Sequence, residues 1–242
     1  MSGNENAEGL KRRHRGRSSE SFLDKDKILA SLSIKAGEVI LDGGCGNGYM
    51  AKEFARLTGK TGKVYAVDVD AAAIDSLKSE CEGTIIEPFA ADITKETMLA
   101  AASIDLIYLC TVVHGFSETQ MEGFLKEVKR LLKADARLAI VEIKKKESGF
   151  GPPLEKRFSP EELKRVISLP ATRLADVGEM IYIQVFCKQG LVEMDSRFRG
   201  NDKGGVFGRS ECMDSRLRGN DSQGHSSRPH RRMDSRFRGN GT

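Results

Sequence analysis

Between residues 21 and 190 the chain alternates short apolar runs with longer segments whose apolar positions recur at helical spacing. Glu38–Asp42, Lys63–Val67, Thr84–Glu87, Asp105–Val113 and Arg137–Ile143 read as strands. Asp105–Val113 is almost wholly apolar, as expected of a strand covered on both faces. Tyr49–Leu57, Ala71–Cys81, Lys95–Ala102 and Glu118–Lys133 read as helices between them, and Asp24–Leu32 as a helix ahead of them. In Glu118–Lys133 the residues Met121, Phe124, Leu125, Val128, Leu131 and Leu132 share one side. Ser159-Pro160-Glu161-Glu162 opens a further helix, with Ser at the cap and Pro in the first turn. Thr172–Val177 and Met180–Cys187 then follow with no helix between them, which predicts an antiparallel hairpin. Strand and helix in strict alternation predict an α/β fold, doubly wound around a mostly parallel sheet, with this hairpin at its C-terminal end.

The ends of the chain do not share this pattern. Met194–Asp202 (MDSRFRGND) returns at Met213–Asp221 with Leu217 for Phe198, and again at Met233–Asn240. Each copy has too few apolar side chains to offset the entropy of ordering it. The copies resemble translations of a short dispersed genomic repeat. The expected organisation is a disordered basic segment over 1–20, a folded domain over 21–190 and a disordered repeat tail over 191–242. Charge agrees with this division: the chain carries +4 overall, but residues 1–20 hold +2, residues 193–242 hold +4 and the middle holds −2. The folded part thus lacks the basic footprint of a nucleic-acid binder. No apolar run reaches the roughly 18–20 residues of a membrane span, and the N-terminus lacks the apolar stretch of a secretory signal, so a cytoplasmic location is expected. The five cysteines (45, 81, 110, 187 and 212) show no CxxC spacing. Reduced thiols are expected, and no metal site.

The segment Val39-Ile40-Leu41-Asp42-Gly43-Gly44-Cys45-Gly46-Asn47-Gly48-Tyr49 carries the chemistry. It follows a strand and opens a helix, where glycines allow a sharp turn and close approach of a ligand to the main chain. Asp68 lies 22 residues past Gly46 at the end of the next strand, where a carboxylate accepts from ribose hydroxyls. Two cofactors fit this much. Gly46-x-Gly48-x-x-Ala51 matches a dinucleotide fingerprint and keeps an NAD-dependent oxidoreductase open. Asp42 with Gly44-x-Gly46-x-Gly48 resembles motif I of the class I S-adenosylmethionine-dependent methyltransferases. A carboxylate beside the loop repels a pyrophosphate but not a ligand that carries an ammonium and a sulfonium.

That resemblance covers about residues 21–188 and is to small bacterial and archaeal methyltransferase-domain proteins with a core like that of ubiquinone and menaquinone methyltransferases. It implies a seven-stranded Rossmann-like sheet with S-adenosylmethionine as cofactor. Carried over by position, Asp42, Gly44, Cys45, Gly46 and Gly48 form the loop, with Gly44 to Gly46 along the methionine part. Asp68 holds the ribose and Val69 lies against the adenine. In Ala91-Asp92-Ile93, Asp92 accepts from the adenine amino group and Ile93 packs on the ring. Cys110, at the end of the fourth strand, completes the implied cofactor set. A helix cap is the structural alternative for Asp92.

The acceptor is less constrained. Leu109–Phe116 lacks the Asn/Asp-Pro-Pro-aromatic segment of methyltransferases that act on DNA bases or glutamine amides. The segment instead resembles that of small-molecule and ubiquinone/menaquinone-type methyltransferases, which implies a small-molecule acceptor methylated on oxygen, carbon or sulfur. Methyl transfer from a sulfonium requires mainly alignment and water exclusion, so the catalytic set stays open. His114 and Glu142 are the candidate bases. Lys144–Arg157, with Gly149, Gly151, Pro152 and Pro153, is either a substrate lid or an ordinary connection. A non-catalytic module that binds S-adenosylmethionine, or RNA through the basic tails, is the remaining alternative. Oligomeric state is not legible.

Overall fold

A computed structural model describes residues 23–189. The expectations for residues 1–20 and for the repeats after 190 lie outside the described residues. Seven strands form one sheet: β1 (Val39–Gly43), β2 (Lys63–Asp68), β3 (Ile86–Ala90), β4 (Ile104–Cys110), β5 (Leu132–Ile143), β6 (Ala171–Asp176) and β7 (Ile181–Cys187). Their spatial order is β3-β2-β1-β4-β5-β7-β6. Pairing is parallel from β3 through β5, and β7 runs antiparallel to both β5 and β6. The predicted doubly wound sheet and its terminal hairpin are present.

Alternate residues of each strand enter two separate cores, because successive side chains point to opposite faces. Ile40, Val64, Leu106, Val141 and Ile183 pack with α1 (Lys25–Leu32), α2 (Tyr49–Thr58) and α3 (Ala71–Glu80). Leu41, Val67, Ile107, Ile140 and Phe186 pack with α4 (Glu118–Leu131) and α5 (Pro160–Val166). The helices start where capping side chains are available. Asp24 and Asp70 cap α1 and α3. Ser117 with Gln120 and Ser159 with Glu162 form capping boxes on α4 and α5. Strand order reverses between β1 and β4, so a crevice opens beyond their carboxyl ends.

Two elements differ from the sequence reading. Lys95–Ala102 is not a helix but a run of turns. Its backbone groups are taken by side chains of α4 instead. Glu127 accepts from Thr97 N at 2.9 Å and Thr97 Oγ1 at 2.7 Å, and Arg130 donates to Leu99 O and Thr97 O. Buried, charge-assisted bonds of this kind outweigh the modest helix propensity of the segment. The strand expected at Thr84–Glu87 begins at Ile86. Thr84 is occupied in a turn, its hydroxyl donating to Cys81 O at 2.6 Å and accepting from Ile86 N at 3.2 Å. Pro88 is tolerated within β3 because that strand lies at the sheet edge.

Candidate functional site

The glycine loop sits in the crevice beyond β1. Gly44 N and Cys45 N both donate to Val67 O, at 2.7 and 3.0 Å, which bends the chain across the end of β2. Gly44, Gly46 and Gly48 all have positive φ. Space separates their roles. A Cβ on Gly44 would lie 2.5 Å from Val112 Cγ2, and one on Gly48 would lie 2.5 Å from Leu77 Cδ1. A Cβ on Gly46 meets nothing within 4 Å. Gly44 and Gly48 are thus demanded by packing, whereas Gly46 faces open space.

Two carboxylates flank the loop and differ in kind. Asp68 Oδ2 accepts from Gly46 N and Oδ1 from Asp70 N, both at 2.9 Å, so it ties the loop to the end of β2. Asp42 is buried, and its Oδ2 has no hydrogen-bond partner. Burial, and then the charge of Asp68, push its carboxyl up to about 7, against a backbone bond at Ala51 that lowers it. Tyr108 is the register partner of Asp42 on β4 and packs edge-on against Phe54. Burial, then Cys110 and Asp42, raise its hydroxyl well above the ordinary value, so it remains neutral. The thiol of Cys45 is likewise raised, by burial and then by Asp42 and Asp68, and is no nucleophile.

The remaining carried-over residues surround this loop. Val69, just past Asp68, is exposed. Ala91 N donates to Asp68 O at 3.0 Å, which brings Asp92 beside the second strand's end. Asp92 caps no helix. Its Oδ1 accepts from Thr94 N and Thr94 Oγ1, and Lys95 Nζ lies 3.4 Å from Oδ2. Burial would raise its carboxyl, but the Thr94 bonds and Lys95 together hold it below the usual range. Ile93 is buried, its Cγ1 within 3.8 Å of a Cβ placed on Gly43, so it lies beneath the loop. Cys110 ends β4, half-buried against the first core. Cys45, Cys81 and Cys110 are in no disulfide.

The two candidate bases, 28 residues apart, are brought together. Thr111, directly after β4, is β-branched yet holds φ +54°, a strained conformation that needs support. Its N–H donates to Val141 O at 2.8 Å and its hydroxyl to Cys110 O at 2.8 Å. The chain then turns through Val113–Gly115. His114 N lies 3.2 Å from Glu142 Oε1, and His114 Nδ1 lies 2.8 Å from Glu142 Oε2. The Glu142 side chain is 1% exposed and the His114 ring 14%.

Arg157 is a buried residue that the sequence reading missed. Its guanidinium donates to Pro152 O, Lys144 O, Lys146 O, Ser148 Oγ and Phe150 O, and so staples the segment 144–157 into one conformation. The only sequence signal was a lone Arg after a Gly/Pro-rich stretch. A concavity between this segment and α5, lined by Lys145, Lys156, Phe158, Glu162 and Arg165 among others, contains none of the loop residues. Among the described residues no cluster of metal-binding side chains occurs, and no helix is long and apolar enough to cross a membrane.

An orphaned buried carboxylate oxygen awaits a donor, and the space above Gly46 admits a ligand to the main chain. This acid lies beside a glycine loop at the switch point of the sheet. Residues 40–135 match the methyltransferase domain family. This match and the structural likeness below support a methyltransferase domain of the class I, S-adenosylmethionine-dependent kind, with S-adenosylmethionine as its cofactor. A methyltransferase of that dependence from Aquifex aeolicus has 26% identity and a TM-score of 0.64, covering 74% of this chain and 97% of its own. A 2-phytyl-1,4-naphtoquinone methyltransferase from Trichormus variabilis is 27% identical over 119 residues, 49% of this chain and 52% of that protein. A probable cobalt-precorrin-6B C(15)-methyltransferase from Saccharolobus solfataricus is 36% identical over 70 residues, 27% of this chain and 35% of that protein. The chain spans about half the length, or less, of these two curated relatives.

Proposed function

We propose that this chain transfers the methyl group of S-adenosylmethionine to a small-molecule acceptor, on oxygen, carbon or sulfur rather than on an amino nitrogen. The observation that carries this reading is Asp42, buried with one oxygen unpartnered beside an open glycine loop. When ionised, that oxygen accepts from the ligand's ammonium group, and the low dielectric around it strengthens the pairing. Bound S-adenosylmethionine supplies a methyl group on a positively charged sulfur, activated for transfer. Asp68 would hold the ribose with the lone pairs that Gly46 and Asp70 leave free. Val69 would cover one face of the adenine, and Asp92 would accept from its amino group. Gly44, Cys45, Gly48 and Ile93 shape the floor, and Cys110 borders it from β4.

Two features favour a small acceptor. The folded middle of the chain is slightly acidic, which disfavours nucleic acid. The relatives named above carry small organic acceptors in their names, a naphthoquinone and a cobalt-precorrin. The test is incubation with methyl-labelled S-adenosylmethionine and a cell extract, followed by separation of small molecules from protein and nucleic acid. Label in the small-molecule fraction is expected. Label confined to the macromolecules would overturn the acceptor class, and conversion of NAD without methyl transfer would overturn the reaction class.

A further inference from the structure

The pair formed by His114 and Glu142 is built more carefully than cofactor binding requires. We propose that His114 is the general base of the reaction, that Glu142 is its positioning residue, and that the acceptor is a weakly acidic hydroxyl compound of the phenol or enol type. This rests on the methyl-transfer reading above.

Glu142 grips His114 at two points, the backbone N–H and ring Nδ1. An ionised carboxylate only accepts, so Nδ1 carries the hydrogen and Nε2 the lone pair. Nε2 has no hydrogen bond to any described residue, and the ring keeps 14% exposure. The turn that delivers the ring to this position passes through strained Thr111, held by its bonds to Val141 O and Cys110 O. Val112, two residues before His114, packs against Gly44 of the cofactor loop. The dyad is therefore mechanically joined to the site where the methyl donor is held.

The chemistry selects the acceptor. A thiol, with an ordinary pKa near 8.5, already supplies a few per cent of the strongly nucleophilic thiolate at neutral pH, and an aromatic amine attacks through its unprotonated lone pair. A phenolic hydroxyl, ordinarily near 10, is protonated at neutral pH but within reach of an imidazole base. In the step, Nε2 takes the hydroxyl proton as the oxygen pair forms the new O–CH3 bond. The C–S bond breaks, its pair returns to sulfur, and S-adenosylhomocysteine leaves. The imidazolium, paired with Glu142, then releases the proton to water.

The test uses the full chain with methyl-labelled S-adenosylmethionine and matched probes: 1-naphthol, 1-naphthalenethiol, 1-naphthylamine, 4-methylphenol and 4-nitrophenol. Preferential O-methylation is expected. His114→Ala should lower kcat by roughly 10²–10⁴-fold, with KM and the Kd for S-adenosylmethionine unchanged. Added imidazole should restore part of the rate, and the loss should be smaller with 4-nitrophenol, which ionises unaided. Glu142→Gln should lower kcat similarly. Without any substrate, nitrogen-15 spectra of the His114 ring should show the Nδ1–H form in the parent and its loss in Glu142→Gln. Preference for the amine or thiol, no methylation of any hydroxyl probe, or an unchanged His114→Ala rate overturns the proposal. Failure of the parent to bind S-adenosylmethionine would overturn the methyl-transfer reading instead.

Discussion

Asp42→Asn separates stability from function at one buried atom. In the parent the native state raises this carboxyl from an ordinary value near 3.8 to about 7, chiefly through burial. The native protein therefore holds this proton more tightly than the unfolded chain does. The associated stability is fully present below about pH 4, declines as pH rises and is gone above about pH 7. The full difference corresponds to about 4 kcal/mol. Asparagine has no proton to lose, so the variant escapes this decline. Its amide leaves a buried donor unmatched, which costs about 1–3 kcal/mol. The net expectation at pH 8 is an apo protein more stable than the parent by about 1–3 kcal/mol, or about 2–4 °C in Tm per kcal/mol for a domain of this size. S-adenosylmethionine affinity should move the other way, by roughly 10–100-fold, because a bond to an ionised group is worth about 1.5–3 kcal/mol. Calorimetric scans at pH 5 and pH 8, with and without ligand, measure both effects. A variant destabilised equally at both pH values, or one that binds ligand as the parent does, would refute the reasoning.

Further outcomes follow from the same geometry. Asp68→Ala should weaken S-adenosylmethionine binding by about 1–3 kcal/mol in titration calorimetry. Gly46→Val should abolish binding with the fold retained by circular dichroism at a modest cost in Tm from its positive φ, whereas Gly44→Val should lower Tm further because its side chain also collides with Val112. Arg157→Gln should speed amide exchange across 144–157 while β1 and β4 stay protected, since the guanidinium supplies that segment's bonds. A chain ending at Gly190 should keep the thermal midpoint and ligand affinity of the full chain; a clear drop in either would assign the repeats a structural part.

The strands, the hairpin and the glycine loop were legible in the sequence because their signals are local. Alternating strand and helix patterns fixed the parallel sheet, and Asp42 with its glycines lies in one short segment. Lys95–Ala102 was misread because what shapes it is distant: Glu127 and Arg130 capture its backbone, and no local pattern reports that. For Asp92 the structural alternative of a helix cap fails for the same reason, since with no helix following it closes a turn on Thr94. His114 and Glu142 were each visible as isolated titratable residues, but their pairing depends on the β4–β5 register and on a strained Thr111. Arg157 was invisible as an organiser because its partners are mostly carbonyls, which sequence does not distinguish.

Titration calorimetry of the full chain with S-adenosylmethionine, S-adenosylhomocysteine and NAD tests the central claim most directly. Saturable one-site binding of both sulfur ligands, lost in Gly46→Val, and no heat from NAD are the predicted results. Binding of NAD with none of either sulfur ligand would contradict the account.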